Sequence, residues 1–398
     1  MAAKLDRVSK TATGRRGRPW RALAAAALLT VGSWVAAQDL RADHPETYVV
    51  QRGDTLWSIA AKFLQRPWLW PEIWQANPQI ANPHEIYPGD VISLAYGDQP
   101  AIKLSPGPRE ARPITGIPLS EVEPFLKDLR VVQDFEQLPY VVGLEQDRLR
   151  AGQGQLAYLH GMPAAVGQRV MIVRPTQRFT RLDRADACCD IFRDDDLDFR
   201  GRRTLDSADF WTDVLVHDNG KELLGYELKR VATGTITRGT PGGIEASTLL
   251  LDDDSLDVRV GDRVLPVEAQ PYDLNFFPHA PAQSFEYGRA RVMAVADMLT
   301  VGGPHDVVAL SVGARDGIDN GTVFSTWRMG SNTPDDIQYG HDRSPDMVPL
   351  SGRVRLPDEF AGHVMVFRTF ERMSYAIVMD SVKPTRVGFE LKHPDAPY

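Results

Sequence analysis

Residues Tyr48 to Leu94 constrain the fold more than any other part of the chain. A short β-like run, Tyr48-Val49-Val50, stops at Gln51-Arg52-Gly53, where glycine marks a turn. Leu56, Ile59, Ala60 and Phe63 then recur at i, i+3, i+4 and i+7, the spacing of one buried helical face. Asp54 or Thr55 caps that helix, because a short side-chain oxygen accepts from the free N–H groups of the first turn. Trp57 falls one residue off the face, which predicts half burial. A second helix begins near Pro71, whose missing N–H would go unpaired there anyway. Glu72 complements the positive end of that helix, and Ile73 and Trp74 supply its inward side. Pro78 stops it. Pro88-Gly89-Asp90 turns the chain into a closing strand, Val91-Ile92-Ser93-Leu94.

This strand, helix, helix, strand order with its Gly53-Asp54-Thr55 and Asn77-Pro78 loops resembles a LysM module, an α+β unit of βααβ form spanning 46–95. The resemblance implies a ligand: an N-acetylated glycan, either peptidoglycan or chitin. It also implies a shallow groove between the loop after the first strand and the loop after the second helix. In this sequence those loops give Gly53, Asp54, Thr55 and Leu56, then Asn77, Pro78 and Ile80, with Ile86 and Tyr87 alongside. The chemistry suits the ligand. An acetamido group needs backbone N–H and C=O partners and a small apolar seat for its methyl. Each position also has a structural reading: Asp54 and Thr55 as caps, Asn77 as a turn residue, Ile80 and Ile86 as core. A tryptophan-rich insert, Arg66-Pro67-Trp68-Leu69-Trp70, departs from a minimal module. Trp68 either offers a further sugar platform or packs against the second helix, and packing is the expectation.

The 398 residues suggest two or three domains of ordinary globular composition. Residues 1–21 hold seven basic residues and one acidic. An apolar run, Ala22 to Ala37, follows and ends in small residues. That is a signal-peptide pattern over 1–37, with an uncleaved anchor as its alternative, and it predicts a periplasmic or envelope location. Removing this +6 segment takes the chain from −8 to −14. So acidic a product argues against nucleic acid as a partner, and against holding a glycan polymer by bulk charge. Cys188 and Cys189 are the only cysteines and are adjacent. A strained vicinal disulfide, an intermolecular bridge and two free thiols are the alternatives.

Six prolines between 96 and 124 predict an extended, semi-rigid linker that lets the module work apart from the rest. Ser120 and Glu123 have capping-box spacing ahead of Val122, Phe125, Leu126 and Leu129, which predicts a short docking helix near 120–129. Beyond it, short β runs alternate with glycine turns, predicting mainly-β modules, small sandwiches or barrels, over 125–275 and 285–394. The runs are Gln155–Leu159, Arg169–Val173, Arg263–Val267, Asp306–Leu310 and His363–Phe367. A weak repeat supports modular construction: Ser247 precedes Gly261 and Ser374 precedes Gly388 by the same fourteen residues, each after an arginine-ended β run. The charge-dense stretch 176–212 reads as a surface insertion. Residues 328–346 look similar.

The β region, from Leu223-Leu224-Gly225-Tyr226-Glu227 through Gly261-Asp262-Arg263-Val264 to Met365–Ala376, resembles the C-terminal part of single-LysM envelope proteins of proteobacteria. That resemblance implies architecture and compartment more than activity. The pairs His217-Asp218, His305-Asp306 and His341-Asp342 neighbour turn residues, and adjacent strand residues point to opposite faces, so they read as loop polars. Asp194-Asp195-Asp196 and Asp252-Asp253-Asp254 lack the glycine and glutamate of an EF-hand loop and read as turns. No Cys-His, Gly-x-Ser-x-Gly or His-Glu-x-x-His constellation occurs. The expectation is a non-enzymatic, exported peptidoglycan-binding protein without metal or cofactor. Its partners would be an N-acetylglucosamine-containing glycan and, through the β modules, an envelope protein. The alternative is a peptidoglycan-remodelling hydrolase with an unfamiliar active site in the β region.

Overall fold

The computed structural model describes residues 40–71, 86–95, 101–105, 116–162, 165–181, 196–197, 203–204, 211–214, 222–240, 244–253, 256–267, 276–296, 302–339 and 352–397. The signal-peptide region, Cys188, Cys189, His217-Asp218 and His341-Asp342 lie outside them.

The described parts of the N-terminal unit follow the expected order. Strand β1 (Thr47–Val49) leads to helix α1 (Leu56–Phe63), then a 3-10 turn at Pro67–Leu69, then β2 (Val91–Ala95), which pairs antiparallel with β1. Leu56, Ile59, Ala60 and Phe63 are all buried and share a core with Val50, Leu64, Trp70, Ile86 and Ile92. The helix begins as a capping box. Thr55 Oγ1 accepts from Ser58 N at 3.1 Å, and Ser58 Oγ accepts from Thr55 N at 3.0 Å. The expected second helix, from near Pro71 to Asn77, lies outside the described residues beyond Pro71. The proline-rich stretch is not wholly a linker. Its segment β3 (Ala101–Ser105) pairs with β2 as a third strand.

Helix α2 (Leu119–Lys127) forms where expected, but not by a capping box. Pro118 stands at the N-cap with no side-chain bond, Ser120 bonds its neighbour Glu121, and Glu123 pairs with Lys127 instead. The helix is held at its other end. Arg368 donates to the carbonyls of Phe125, Leu126 and Leu129 at 2.9, 2.7 and 3.0 Å, and Arg130 to those of Leu126 and Leu129 at 2.8 and 2.7 Å. The unpaired carbonyls of the last turn thereby find charged donors.

Strand β4 (Leu129–Val132) then opens the first of two seven-stranded sheets. Its other members are β5 (Tyr140–Leu144), β6 (Leu156–His160) and β7 (Arg169–Thr180), then β11 (Leu223–Arg238), β12 (Ala246–Leu251) and β13 (Arg263–Pro266). Between β7 and β11 the small strands β8 (Asp196–Leu197) and β9 (Arg203–Thr204) pair with each other, and β10 (Trp211–Val214) crosses to the second sheet. The charged stretch therefore starts later than expected. Residues 176–180 belong to β7, where Thr176, Gln177, Phe179 and Thr180 are buried. In the first sheet, β12 pairs with both β6 and β11. The strands thus close into a six-membered barrel in the order β5-β6-β12-β11-β7-β13, with β4 added at one end of β11.

The second sheet repeats this plan with β14 (Val292–Ala296), β15 (Val307–Leu310), β16 (Val323–Arg328), β19 (Glu359–Thr369), β20 (Ser374–Ser381) and β21 (Glu390–Lys392). The strands β17 (Asn332–Pro334) and β18 (Arg353–Arg355) extend the β16–β19 connection as a hairpin-like pair beside a short helix, α3 (Asp336–Tyr339). The order β14-β15-β20-β19-β16-β21 is that of the first barrel, strand for strand. The ring closes through hydrogen bonds from Val292 N to Phe389 O, Gly388 N to Val292 O, and Leu391 N to Ala290 O, at 2.8–2.9 Å. The first barrel closes with Val141 N to Asp262 O, Gly261 N to Val141 O, and Val264 N to Pro139 O, each 2.8 Å.

The correspondence extends to irregularities. Both long hairpins carry a bulge at the same place, between Ile236 and Arg238 and between Val366 and Arg368. Leu249 and Ala376 sit opposite Ile236 and Val366. The turns before β7 and β16 also match: Gly167 N bonds Ile236 O and Gly321 N bonds Val366 O, with positive φ at both glycines. The repeat legible around Ser247 and Ser374 is thus a whole-barrel duplication. The interiors are separate apolar cores. Val141, Leu159, Val170, Ile236, Leu251 and Val264 fill one, and Val292, Leu310, Phe324, Val366, Val378 and Leu391 take the matching places in the other.

A third core lies between the units. The outer face of the second barrel buries Met293, Val307, Ala309, Met365, Phe367, Tyr375, Ile377 and Met379 against Val122, Phe125 and Leu126 of α2 and against Phe179 and Leu224 of the first barrel. This explains the uninterrupted apolar runs of β14 and β15, which are buried on both faces. Within this interface Tyr375 donates to Glu227 Oε2 at 2.6 Å, and Thr176 donates to Glu227 Oε1 at 2.9 Å. Burial, and next the Glu227 carboxylate, push the Tyr375 hydroxyl well above the ordinary tyrosine range.

Candidate glycan-binding site

The first groove loop is built by the turn after β1 and the cap of α1. Gly53 has φ +95, which only glycine adopts without strain, and it lies exposed with Gln51 and Arg52. Asp54 does not cap the helix. Its Oδ2 accepts from Tyr48 Oη at 2.8 Å and from Gln51 N at 2.7 Å, which ties the loop back onto β1. Partial burial and this bond push the Tyr48 pKa up to about 12. Thr55 is the cap and is buried, so its hydroxyl is occupied. Leu56 is fully buried in the module core.

The second loop's Asn77, Pro78 and Ile80 lie outside the described residues. Past them, Ile86 is fully buried and Tyr87 half-buried. Tyr87 N donates to Asp90 Oδ2 at 2.9 Å, Asp90 N to Tyr87 O at 3.0 Å, and Gly89 N to Val50 O at 2.8 Å. The two loop bases are therefore joined across β1. Leu56 and Ile86 are both fully buried and serve the module core. Among the described residues of the two loops, Gln51, Arg52 and Gly53 are exposed and Tyr87 is half-buried.

The tryptophan side of the module is covered. Trp57, expected to be half-buried, is 3% exposed, and Trp68 is 5% exposed. The cause is not the module's own core but the second barrel. Trp68 lies 4.5 Å from the His363 ring, centroid to centroid, and Trp57 lies 6.2 Å from Trp68 and 6.3 Å from His363. His363 Nδ1 is fixed by Asp380 at 2.9 Å, and Phe360 closes the cluster 5.1 Å from His363. Trp70 meets Phe277 at 5.5 Å, and Arg66 reaches Asp395 at 3.4 Å. The tryptophan insert is thus a docking surface, and the module is seated on the barrel rather than held away from it. Sequence reasoning missed this seat. The available signal was two tryptophans, Trp68 and Trp70, within a five-residue insert.

Other sequence candidates resolve into turns. Asp253 accepts from Thr233 N at 2.7 Å and from Thr233 Oγ1 at 2.9 Å, and Asp252 accepts from Thr235 Oγ1 at 2.9 Å. Asp306 Oδ2 accepts from Gly303 N at 2.7 Å, with His305 at φ +78 in the same turn.

The strand, helix and closing strand at the N-terminus define a small α+β module. Residues 48–95 match the family model of the LysM domain, and they form a LysM domain. Such a domain implies binding of peptidoglycan or chitin and association with a cell wall. A 60-residue stretch of the chain is 37% identical to "Uncharacterized protein YqbP" of Bacillus subtilis (strain 168), covering 13% of this chain and 27% of that protein. The chain thus spans about a quarter of the length of this relative. Beyond the LysM domain the protein is β-rich.

Proposed function

We propose that this is an exported, non-enzymatic peptidoglycan-binding protein of the cell envelope. The LysM domain recognises N-acetylated glycan through the Gly53–Leu56 and Asn77–Ile80 loops with Ile86 and Tyr87 beside them. The paired barrels serve as a rigid interaction scaffold for another envelope component. The observation that carries this reading is the LysM match at 48–95 combined with its orientation: the tryptophan side is docked while the Gln51–Gly53 rim stays exposed. A single shallow site binds weakly, but a polymer offers many sites at high local concentration.

Pull-down on insoluble peptidoglycan tests the groove. Substituting Asp54→Ala together with Asn77→Ala should reduce retention severalfold, and retention equal to wild type removes the groove assignment. Zymography of the full chain should show no clearing of a peptidoglycan gel, and a lytic zone would replace the scaffold reading with a hydrolase.

A further inference from the structure

The twin barrels differ at one corresponding pair of arginines. Arg174 on β7 and Arg328 on β16 each stand one residue beyond the rung that joins their strand to the sixth strand, Val173 with Arg263 and Trp327 with Glu390. In the first barrel this arginine is spent internally. Arg174 Nε and Nη2 fork onto the Asp262 carboxylate at 2.8 and 2.9 Å, and Nη2 also donates to Asp257 O at 2.8 Å. Asp262 is buried, with its side chain 3% exposed.

In the second barrel the position of Asp262 is Phe389. The equivalence is fixed by the turn: Asp262 N bonds Arg259 O and Phe389 N bonds Arg386 O, both at 3.2 Å. Arg328 has thus lost its internal carboxylate. Among the described residues it reaches only Glu359, at 3.6 Å, and its side chain is 66% exposed. Glu359 is already engaged by Lys383 at 2.8 Å, whose hydrogen bond holds its carboxyl below the usual range. Arg386 makes no ion pair among the described residues. Arg328, Glu359, Lys383, Pro384, Arg386 and Phe389 line an open cleft of about 370 Å³. Three cations face one carboxylate there, on a chain whose net charge is −8.

From this vacated twin of a closed arginine site we infer that the cleft binds a carboxylate from outside, specifically a carboxylate of the peptide arm of the glycan recognised by the LysM domain. The first barrel shows what the arginine at this position seats: a carboxylate in a two-pronged fork. Phe389 adds an apolar floor for the short side chain beside such a group. The cleft is also well placed. Arg328 and Glu359 form the next rung after Trp327 and Phe360, and Phe360 packs on His363, where Trp68 docks. Four residues along β19 separate His363 from Glu359, about 13 Å at the rise of a strand. The cleft thus lies on the strand that seats the LysM domain, and attachment of one polymer to both module and cleft would bring a gain from double attachment. The choice of peptide arm rests on the glycan reading above, while the carboxylate chemistry rests on the cleft alone.

Calorimetric titration of the full chain separates the two. The probes are a soluble disaccharide–tetrapeptide from peptidoglycan, the same fragment with its carboxylates amidated, the free tetrapeptide, and a peptide-free N-acetylglucosamine oligomer. Amidation and the double variant Arg328→Gln/Arg386→Gln should each weaken fragment binding at least fivefold. The same variant should leave oligomer binding and the melting temperature unchanged. Equal affinity for the amidated fragment, or wild-type affinity in the double variant, overturns the cleft assignment. Failure of the oligomer to bind wild type, with tetrapeptide binding retained and lost in the double variant, overturns the sugar reading but upholds the cleft. Binding of an unrelated acidic protein peptide as tightly as the tetrapeptide overturns the wall-peptide assignment in favour of a protein partner.

Discussion

The two barrels are one design carried out twice, and their differences show which parts of the design are free to change. Strand order, closure, the bulge in the long hairpin and the turns before the strands are common to both. What differs is what each barrel does with its outside. The second barrel covers its outer face with α2, with the first barrel and with the tryptophans of the LysM domain, so its strands are apolar on both sides. The first keeps more polar outer positions and closes its arginine corner with Asp262. Duplication thus supplied two scaffolds, and one of them became the seat for the binding module.

The largest expected effect comes from breaking that seat. Trp68→Ala removes a buried indole from between the module and the second barrel, and such truncations cost about 3–5 kcal/mol. The loss should fall on docking rather than on either fold. Calorimetry should then resolve a separate transition for the LysM domain, and proteolysis should cut between it and α2. A single unchanged transition would show that the seat contributes nothing.

A matched glycine pair compares the barrels directly. Gly167 and Gly321 occupy the same turn at φ +88 and +100. A Cβ on Gly167 meets nothing within 4 Å, so Gly167→Ala should cost only the left-handed backbone penalty, about 1–2 kcal/mol. A Cβ on Gly321 would lie 2.3 Å from the carbonyl oxygen of Phe277. Gly321→Ala should therefore add an overpacking cost and reach about 3–4 kcal/mol in urea denaturation. Equal losses would contradict the difference in surroundings.

The arginine corner gives a smaller contrast. Arg174→Gln leaves buried Asp262 without its charged fork, and loss of such a bond costs about 1.5–3 kcal/mol. Arg328→Gln touches an exposed, long pair and should cost no more than about 1 kcal/mol. If both substitutions are equally mild, the second cleft is not a vacated version of the first.

The smallest expected effect is a pH response at the interface between barrels. Tyr375 is held protonated in the folded protein, so its pKa lies above the unfolded value. The sign follows from linkage. The contribution is intact below about pH 10, the ordinary tyrosine value, and is lost as pH rises from there toward the folded pKa. Urea midpoints measured from pH 9 to 11 should fall in wild type, and the fall should be shallower in Tyr375→Phe. Parallel curves would mean that this hydroxyl does not sense the interface.

The sequence made some of this legible and hid the rest for physical reasons. The face of α1 was readable because burial within one helix imposes a 3.6-residue period, and all four predicted residues are core. Trp57 was misplaced because its burial comes from His363 and Trp68, contacts that no local period encodes. The β runs at Arg169 and His363 were visible but too short, since Pro175 and Gly362 interrupt the pattern while the strands continue through them. The repeat near Ser247 and Ser374 was a faint trace of the duplication. Bulges and turn hydrogen bonds are conserved between the barrels by backbone geometry, which many side chains satisfy. Of the groove residues, Thr55, Leu56 and Ile86 are held by cap and core, so their spacing reported fold first. The Arg328 cleft could not be read from sequence, because the absence of an acid at Phe389 has meaning only once Asp262 is known to be its counterpart.

Quantitative co-sedimentation with insoluble peptidoglycan addresses the proposed function most directly. The full chain should pellet with the polymer in a saturable manner, and a chain lacking residues 48–94 should retain only the weaker, salt-sensitive part contributed by the cleft. Equal saturable retention of both chains would place glycan recognition outside the LysM domain and contradict the account.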